Sequence, residues 1–182
     1  MKGRIELITG CMFSGKTTEL IRRIQCDNQE HLVLKPFVDV RYNRDFITNH
    51  KGLCIPATNI ENNIELFSVA RSGSKNVYID EIQFFDGNIL EHVLDMAEHG
   101  INVIGCGLTY NSNHEPFKFA NSDKDMHDYL RITNRYTHMF GKCGVCDSLS
   151  THTQRLKHTD DIINFAGDDL YAPRCLEHYV KL

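Results

Sequence analysis

Between a short apolar strand-like run and an amphipathic stretch, the chain reads Gly10-Cys11-Met12-Phe13-Ser14-Gly15-Lys16-Thr17, which satisfies G-x-x-x-x-G-K-[ST] in full. No other feature constrains the fold as strongly, because this pattern works only where a strand enters the loop and a helix leaves it. The glycines permit backbone conformations that turn successive amides inward, so the loop and the helix N-terminus together form an anion cradle. Lys16 would reach the β- and γ-phosphates of a nucleotide, and the Thr17 hydroxyl would ligate magnesium. The flanks agree. Ile5-Glu6-Leu7-Ile8 reads as a strand, and over residues 17–25 Leu20, Ile21 and Ile24 recur at helical spacing with Glu19, Arg22 and Arg23 outside.

The rest of the chain continues the alternation. Strands are predicted at residues 31–35, ended by Pro36, and at 77–80, 101–108 and 136–140; helices at 60–71, 88–99 and 125–134. Residues 42–52 are polar and mixed in charge and read as a mobile loop, and 109–115 as a second polar loop. Strands alternating with helices of about a dozen residues imply right-handed βαβ units, hence an α/β fold with a mainly parallel sheet flanked by helices. The order of the strands is not readable from the pattern. A boundary near Gly141 divides the expected nucleotide-binding domain, 1–141, from a small metal-bearing lobe, 142–182.

Charge and length narrow the function. In 182 residues, 24 acids against 20 bases leave a formal charge of −4, which argues against a chain devoted to a polyanion such as nucleic acid. No apolar run approaches the roughly 18 residues a membrane-spanning helix needs. Lys2, Arg4 and Glu6 fall in or beside the first strand and leave no room for a signal sequence, so the expectation is a cytoplasmic protein with reduced thiols.

Asp80 ends an apolar strand, as the acid of a second nucleotide motif should, and is expected to hold magnesium directly or through water. By strand alternation Glu81 points elsewhere, free to accept a proton from an attacking hydroxyl. Of seven cysteines, Cys11, Cys26, Cys54 and Cys106 are scattered, whereas Cys143-x2-Cys146 and Cys175-x2-His178 form two claws at knuckle spacing. Four such ligands suit tetrahedral zinc and leave no open position for chemistry, so the site is read as structural.

A GTPase, a motor ATPase and a small-molecule kinase all share the two nucleotide motifs, but no Asn-Lys-x-Asp guanine reader is visible. The segments Met12-Phe13-Ser14-Gly15-Lys16-Thr17-Thr18-Glu19-Leu20-Ile21-Arg22-Arg23, Asp39-Val40-Arg41-Tyr42 and Asp80-Glu81-Ile82-Gln83-Phe84-Phe85, with the late Cys-x2-Cys and Cys-x2-His, resemble type II thymidine kinases, the zinc-containing cytosolic kind. The resemblance covers nearly the whole chain in order. It implies ATP-dependent phosphorylation of the 5'-hydroxyl of deoxythymidine, with deoxyuridine as a second substrate, Glu81 as general base and Arg41 against the phosphates. It also implies a nucleoside pocket lined by Met12, Phe84, Leu108, Phe117, Thr153 and Tyr171, a homotetramer, and feedback inhibition by dTTP.

One segment departs from the family pattern. After Leu108 the family shows an Asp, a polar spacer and an aromatic before Pro-Phe, whereas here Thr109-Tyr110-Asn111-Ser112-Asn113-His114-Glu115 precedes Pro116-Phe117. The aromatic position carries Ser112, with Tyr110 two residues earlier. A nucleoside monophosphate kinase is the first alternative, though residues 42–52 offer only Arg44 and Lys51 for a second phosphate. A zinc-ribbon nucleic-acid ATPase is the second. Residues 131–158 carry Arg131, Arg135, Lys142, Arg155 and Lys157 against Asp147, but lack aromatic-basic interleaving.

Overall fold

A computed structural model of the protein describes residues 1–39, 45–61, 73–157 and 170–181. Six strands, β1 (Ile5–Thr9), β2 (His31–Pro36), β5 (Thr58–Ile60), β6 (Asn76–Ile79), β7 (Asn102–Gly107) and β8 (Arg135–His138), form one sheet in the order β5-β2-β6-β7-β1-β8. Every neighbouring pair is parallel. Parallel strands need crossovers that cover the sheet, and the side-chain alternation shows both faces covered. Leu7, Ile79 and Val103 belong to one buried cluster, while their chain neighbours Ile8, Tyr78 and Ile104 belong to the other.

On the second face lies α1 (Lys16–Gln25), with Leu20 and Ile21 fully buried and Glu19, Arg22 and Arg23 turned away from the core. Each such aliphatic side chain contributes roughly 2 kcal/mol by leaving water. Arg23 ties this helix to the sheet, donating to Glu19, to Glu6 of β1 and to Thr137 of β8. The first face carries α2 (Ile89–Glu98) and α3 (Met126–Ile132). Asp125 opens α3 with a reciprocal cap, accepting from the His127 amide while Asp128 accepts from the Asp125 amide.

Several expected boundaries shift. The strand expected at 136–140 runs over Arg135–His138 and pairs with β1 at the sheet edge. Ile60, taken as the start of a helix, ends β5 with its side chain buried, and 62–72 lie outside the described residues. The stretch expected to be a mobile loop contains β3 (Phe46–Thr48), which pairs antiparallel with β4 (Cys54–Pro56). Ile47 drops into the core from that hairpin, and the Asn49 side chain accepts from the Lys51 and Leu53 amides across its turn. Residues 42–44 are outside the described part of the chain.

Beyond β8 the pairings are short and antiparallel: β9 (Gly141–Lys142) with β10 (Leu149–Ser150), and β11 (His152–Arg155) with β12 (Tyr171–Arg174). Among the described residues no helix is long and apolar enough to cross a membrane.

Candidate active site and metal centre

At the carboxyl end of β1 the chain turns sharply through Gly10, Phe13 and Gly15, whose φ values are 150°, 64° and 88°. Gly10 has a second reason to be glycine, since a Cβ there would lie 2.2 Å from the Met139 carbonyl oxygen. Gly15 precedes α1 with no side-chain cap, so the amides of the first helical turn are left to an incoming anion. The Lys16 side chain lies over this loop and donates to the Cys11 carbonyl at 2.9 Å. The buried Ser14 hydroxyl finds no hydrogen-bond partner among the described residues. Gly10 through Thr17 therefore form a tight loop between β1 and α1.

Asp80 and Glu81 follow β6 at the same edge, and both are buried. Strand β7 lies between β6 and β1, which separates these acids from the cradle by about two strand spacings, roughly 10 Å. That gap lies along the carboxyl edge of the sheet. Cys106 of β7 sits in it, fully buried; burial pushes its thiol well up, and the Asp80 carboxylate adds to the shift.

The direction of Glu81 has a different cause from the one expected. It is no longer strand: its backbone is left-handed, φ 49° and ψ 43°, and opens a 3-10 turn over Ile82–Phe84. Strand alternation does not apply, because β6 ends at Ile79 and the chain folds back at once. Gln83, 1% exposed, donates to the Glu81 carboxylate and accepts from the Leu108 amide at 3.1 Å. Gly107 makes room for it, since a Cβ there would lie 2.2 Å from the Gln83 side-chain oxygen.

Lys16, Thr17, Asp80 and Glu81 open onto one cavity of about 560 Å³. Met12, Phe84, Leu108, Phe117, Thr153 and Tyr171 line the same space. Phe84 and Phe117 meet edge to face, centroids 5.4 Å apart at 83°. The Met12 amide donates to the Thr153 hydroxyl at 3.0 Å, and the Cys11 thiol lies 3.2 Å from the Ser150 hydroxyl. The phosphate loop is thus bonded directly to the C-terminal strands. Arg41 lies outside the described residues.

The four expected metal ligands converge. One ligand atom from each of Cys143, Cys146, Cys175 and His178 lies within 4.8 Å of all the others. The Cys146 and Cys175 sulfurs are 3.7 Å apart and Cys143 Sγ lies 3.9 Å from His178 Nδ1, close to the roughly 3.8 Å edge of a tetrahedron with Zn–S bonds of about 2.3 Å. This three-cysteine, one-histidine set fits structural zinc. Burial pushes the Cys143 thiol up, but the amides of Cys175, Val145 and Cys146 outweigh it and hold the group at about 6, which favours the thiolate that metals bind.

The sequence profile of the family described as thymidine kinase matches residues 3–179, nearly the whole chain. The chain belongs to the thymidine kinase family. The cysteine-histidine cluster agrees with the zinc-containing kind of that family. Similar solved structures include the ATPase DotB of Legionella pneumophila, at 16% identity over 82% of this chain and 44% of that one, TM-score 0.46. Another is Bacteroides Pif1 bound to ssDNA, at 19% identity over 60% of this chain and 29% of that one, TM-score 0.35. The chain spans less than half the length of either.

Some cavity residues of this thymidine kinase family member were given no role from sequence. Lys35 and Asp39, both buried, line the cavity with Lys35 Nζ 3.7 Å from Asp39 Oδ2. A lysine inside the apolar run His31-Leu32-Val33-Leu34-Lys35 was the available signal. The β3–β4 hairpin adds Asn49, whose side-chain amide donates to Thr18 of α1 and docks the hairpin beside the cradle.

Proposed function

We propose that this chain transfers the γ-phosphoryl group of ATP to the 5'-hydroxyl of deoxythymidine, and also of deoxyuridine, giving dTMP and ADP in the first case. The observation that carries the reading is that the cradle lysine, the Asp80-Glu81 pair and an aromatic-walled space share one cavity. A pyrimidine is apolar on its faces and polar at its edge, so Phe84 and Phe117 suit the faces, while Thr153 and backbone groups suit the edge. Met12, Leu108 and Tyr171 complete that receptor.

In this reading the loop amides and Lys16 hold the β- and γ-phosphates, and Lys16 leaves the Cys11 carbonyl to do so. Glu81, held by Gln83, accepts the proton of the 5'-hydroxyl as its oxygen attacks the γ-phosphorus and the bond to the β-phosphate oxygen breaks. Arg41 balances charge on the transferring group. Thr17 and Asp80 supply only oxygen donors, a set that fits magnesium, which when bound neutralises charge on the β- and γ-oxygens. Residues 142–182 form a lobe clamped by zinc that brings Thr153 and Tyr171 against the cavity. The same family reading makes the enzyme a cytoplasmic homotetramer inhibited by dTTP.

A turnover panel with ATP and thymidine, deoxyuridine, deoxycytidine or dTMP tests this. Thymidine should be phosphorylated fastest. Activity on dTMP without activity on thymidine would instead indicate a nucleoside monophosphate kinase, and ATP hydrolysis that needs DNA would indicate a nucleic-acid ATPase.

A further inference from the structure

Residues 109–117, where the sequence departs from the family pattern, form a closed loop on the cavity wall. The Phe117 amide donates to the Thr109 carbonyl and the Asn111 amide to the Glu115 carbonyl, both at 2.9 Å, while the Asn111 side chain accepts from the Asn113 and Glu115 amides. Tyr110 and Ser112 face the cavity. His114, near the loop tip, has a left-handed backbone with φ 59°.

The loop is tied to the C-terminal segment by rings. Tyr110 stacks on His114 with centroids 4.6 Å apart at 18°, His114 lies 4.1 Å from His152 of β11 at 30°, and His152 stacks on Tyr179 at 4.5 Å and 29°. Hydrogen bonds pin this column at both ends. Tyr110 Oη is 3.1 Å from His127 Nε2 of α3, and Tyr179 Oη donates to the Ser112 carbonyl at 2.7 Å. Thr153, next to His152 in β11, bonds the Met12 amide of the phosphate loop. Burial lowers the pKa of both His114 and His152, helped by the Lys181 charge at His114 and by His114 at His152, which favours the neutral imidazoles in the stack.

We propose that the column Tyr110–His114–His152–Tyr179 positions the nucleoside wall: it holds the loop bearing Tyr110 and Ser112 against β11, so ring stacking that begins at Tyr110 takes the place of an aromatic at position 112. This rests on the reading that a nucleoside occupies this end of the cavity. His114 and His152 are then positioning residues, which touch no reacting atom.

The test is steady-state kinetics on the full chain, varying nucleoside and ATP separately. His114→Asn removes the ring while tolerating the left-handed backbone. It should raise the thymidine KM about fivefold to tenfold, the size expected for losing the His114 ring contacts, and narrow the preference for thymidine over deoxycytidine, with the ATP KM unchanged. His152→Phe, which keeps a ring, should retain most of the wild-type values. An unchanged thymidine KM and base preference in His114→Asn, or equal rises in both KM values, would overturn the positioning role while leaving the kinase reading intact. Wild-type protein that phosphorylates no nucleoside would overturn both.

Discussion

The cradle and the C-terminal strands face each other across one cavity, yet they are held in place by different means. The loop from Gly10 to Thr17 hangs from β1, buried at all five positions and paired on both sides, and from a helix anchored by Leu20, Ile21 and Ile24. In the proposed reading its phosphate-holding groups are mostly backbone amides. Thr153 and Tyr171 instead hang from a pair of four-residue strands outside the main sheet, tied down by four metal-ligand side chains, a ring column and a few hydrogen bonds to the loop. A site built this way can keep its phosphate-binding end while losing its other end. Damage in the two regions should therefore separate in assays.

Removing the metal should give the largest effect. Chelation, or Cys146→Ser, should cut thymidine kcat/KM by about a hundredfold or more, because metal affinity acts as folding energy for a small lobe, while binding of a fluorescent ATP analogue stays near wild type. Equal loss of both would show that the two regions fold as one unit. Gly10→Ala reverses the pattern. With a Cβ 2.2 Å from the Met139 carbonyl, the cradle must distort, and the ATP KM should rise at least about tenfold with zinc content unchanged by metal analysis.

A smaller effect is expected between the two regions, at the ends of β6 and β7. Gln83→Leu removes the group joining Glu81 to the Leu108 amide and should lower kcat by about tenfold, with less change in either KM, because the proposed base, imprecisely held, would lose transition-state contact more than binding.

The smallest effect belongs to α1. Hydrogen bonds from Arg22, then from Arg23, outweigh burial and hold the Glu19 carboxyl at about 2 against an ordinary 4.5. A carboxyl depressed by folding stabilises the fold fully above about 4.5 and loses that contribution as pH falls toward about 2. Glu19→Gln should thus flatten the acid side of the curve of unfolding free energy against pH by about 1 kcal/mol, without altering zinc content.

What could be read from sequence was the juxtaposition of groups at fixed short spacing. The cradle residues, the Asp80-Glu81 pair after an apolar strand, and the two claws Cys143-Cys146 and Cys175-His178 depend on local geometry that a few intervening residues determine. Features set by distant packing could not be read. The β3–β4 hairpin has three-residue strands and buries chiefly Ile47, so its polar composition resembled a loop. Glu81 was assigned its direction from strand periodicity, but one left-handed residue changed that direction after β6 ended. Lys35 enters the cavity only because β2 lies beside β6, a neighbourhood that depends on strand order. The ring column joins residues 110, 114, 152 and 179, and no local pattern connects them.

The most direct test of the account is Glu81→Gln, which keeps the size and hydrogen-bonding capacity of the side chain but not its basicity. With ATP and thymidine saturating, kcat should fall by about a hundredfold to ten-thousandfold while ATP and thymidine still bind with near-wild-type affinity. Turnover close to wild type would contradict the assignment of Glu81 as the base and, with it, the chemistry proposed for the cavity.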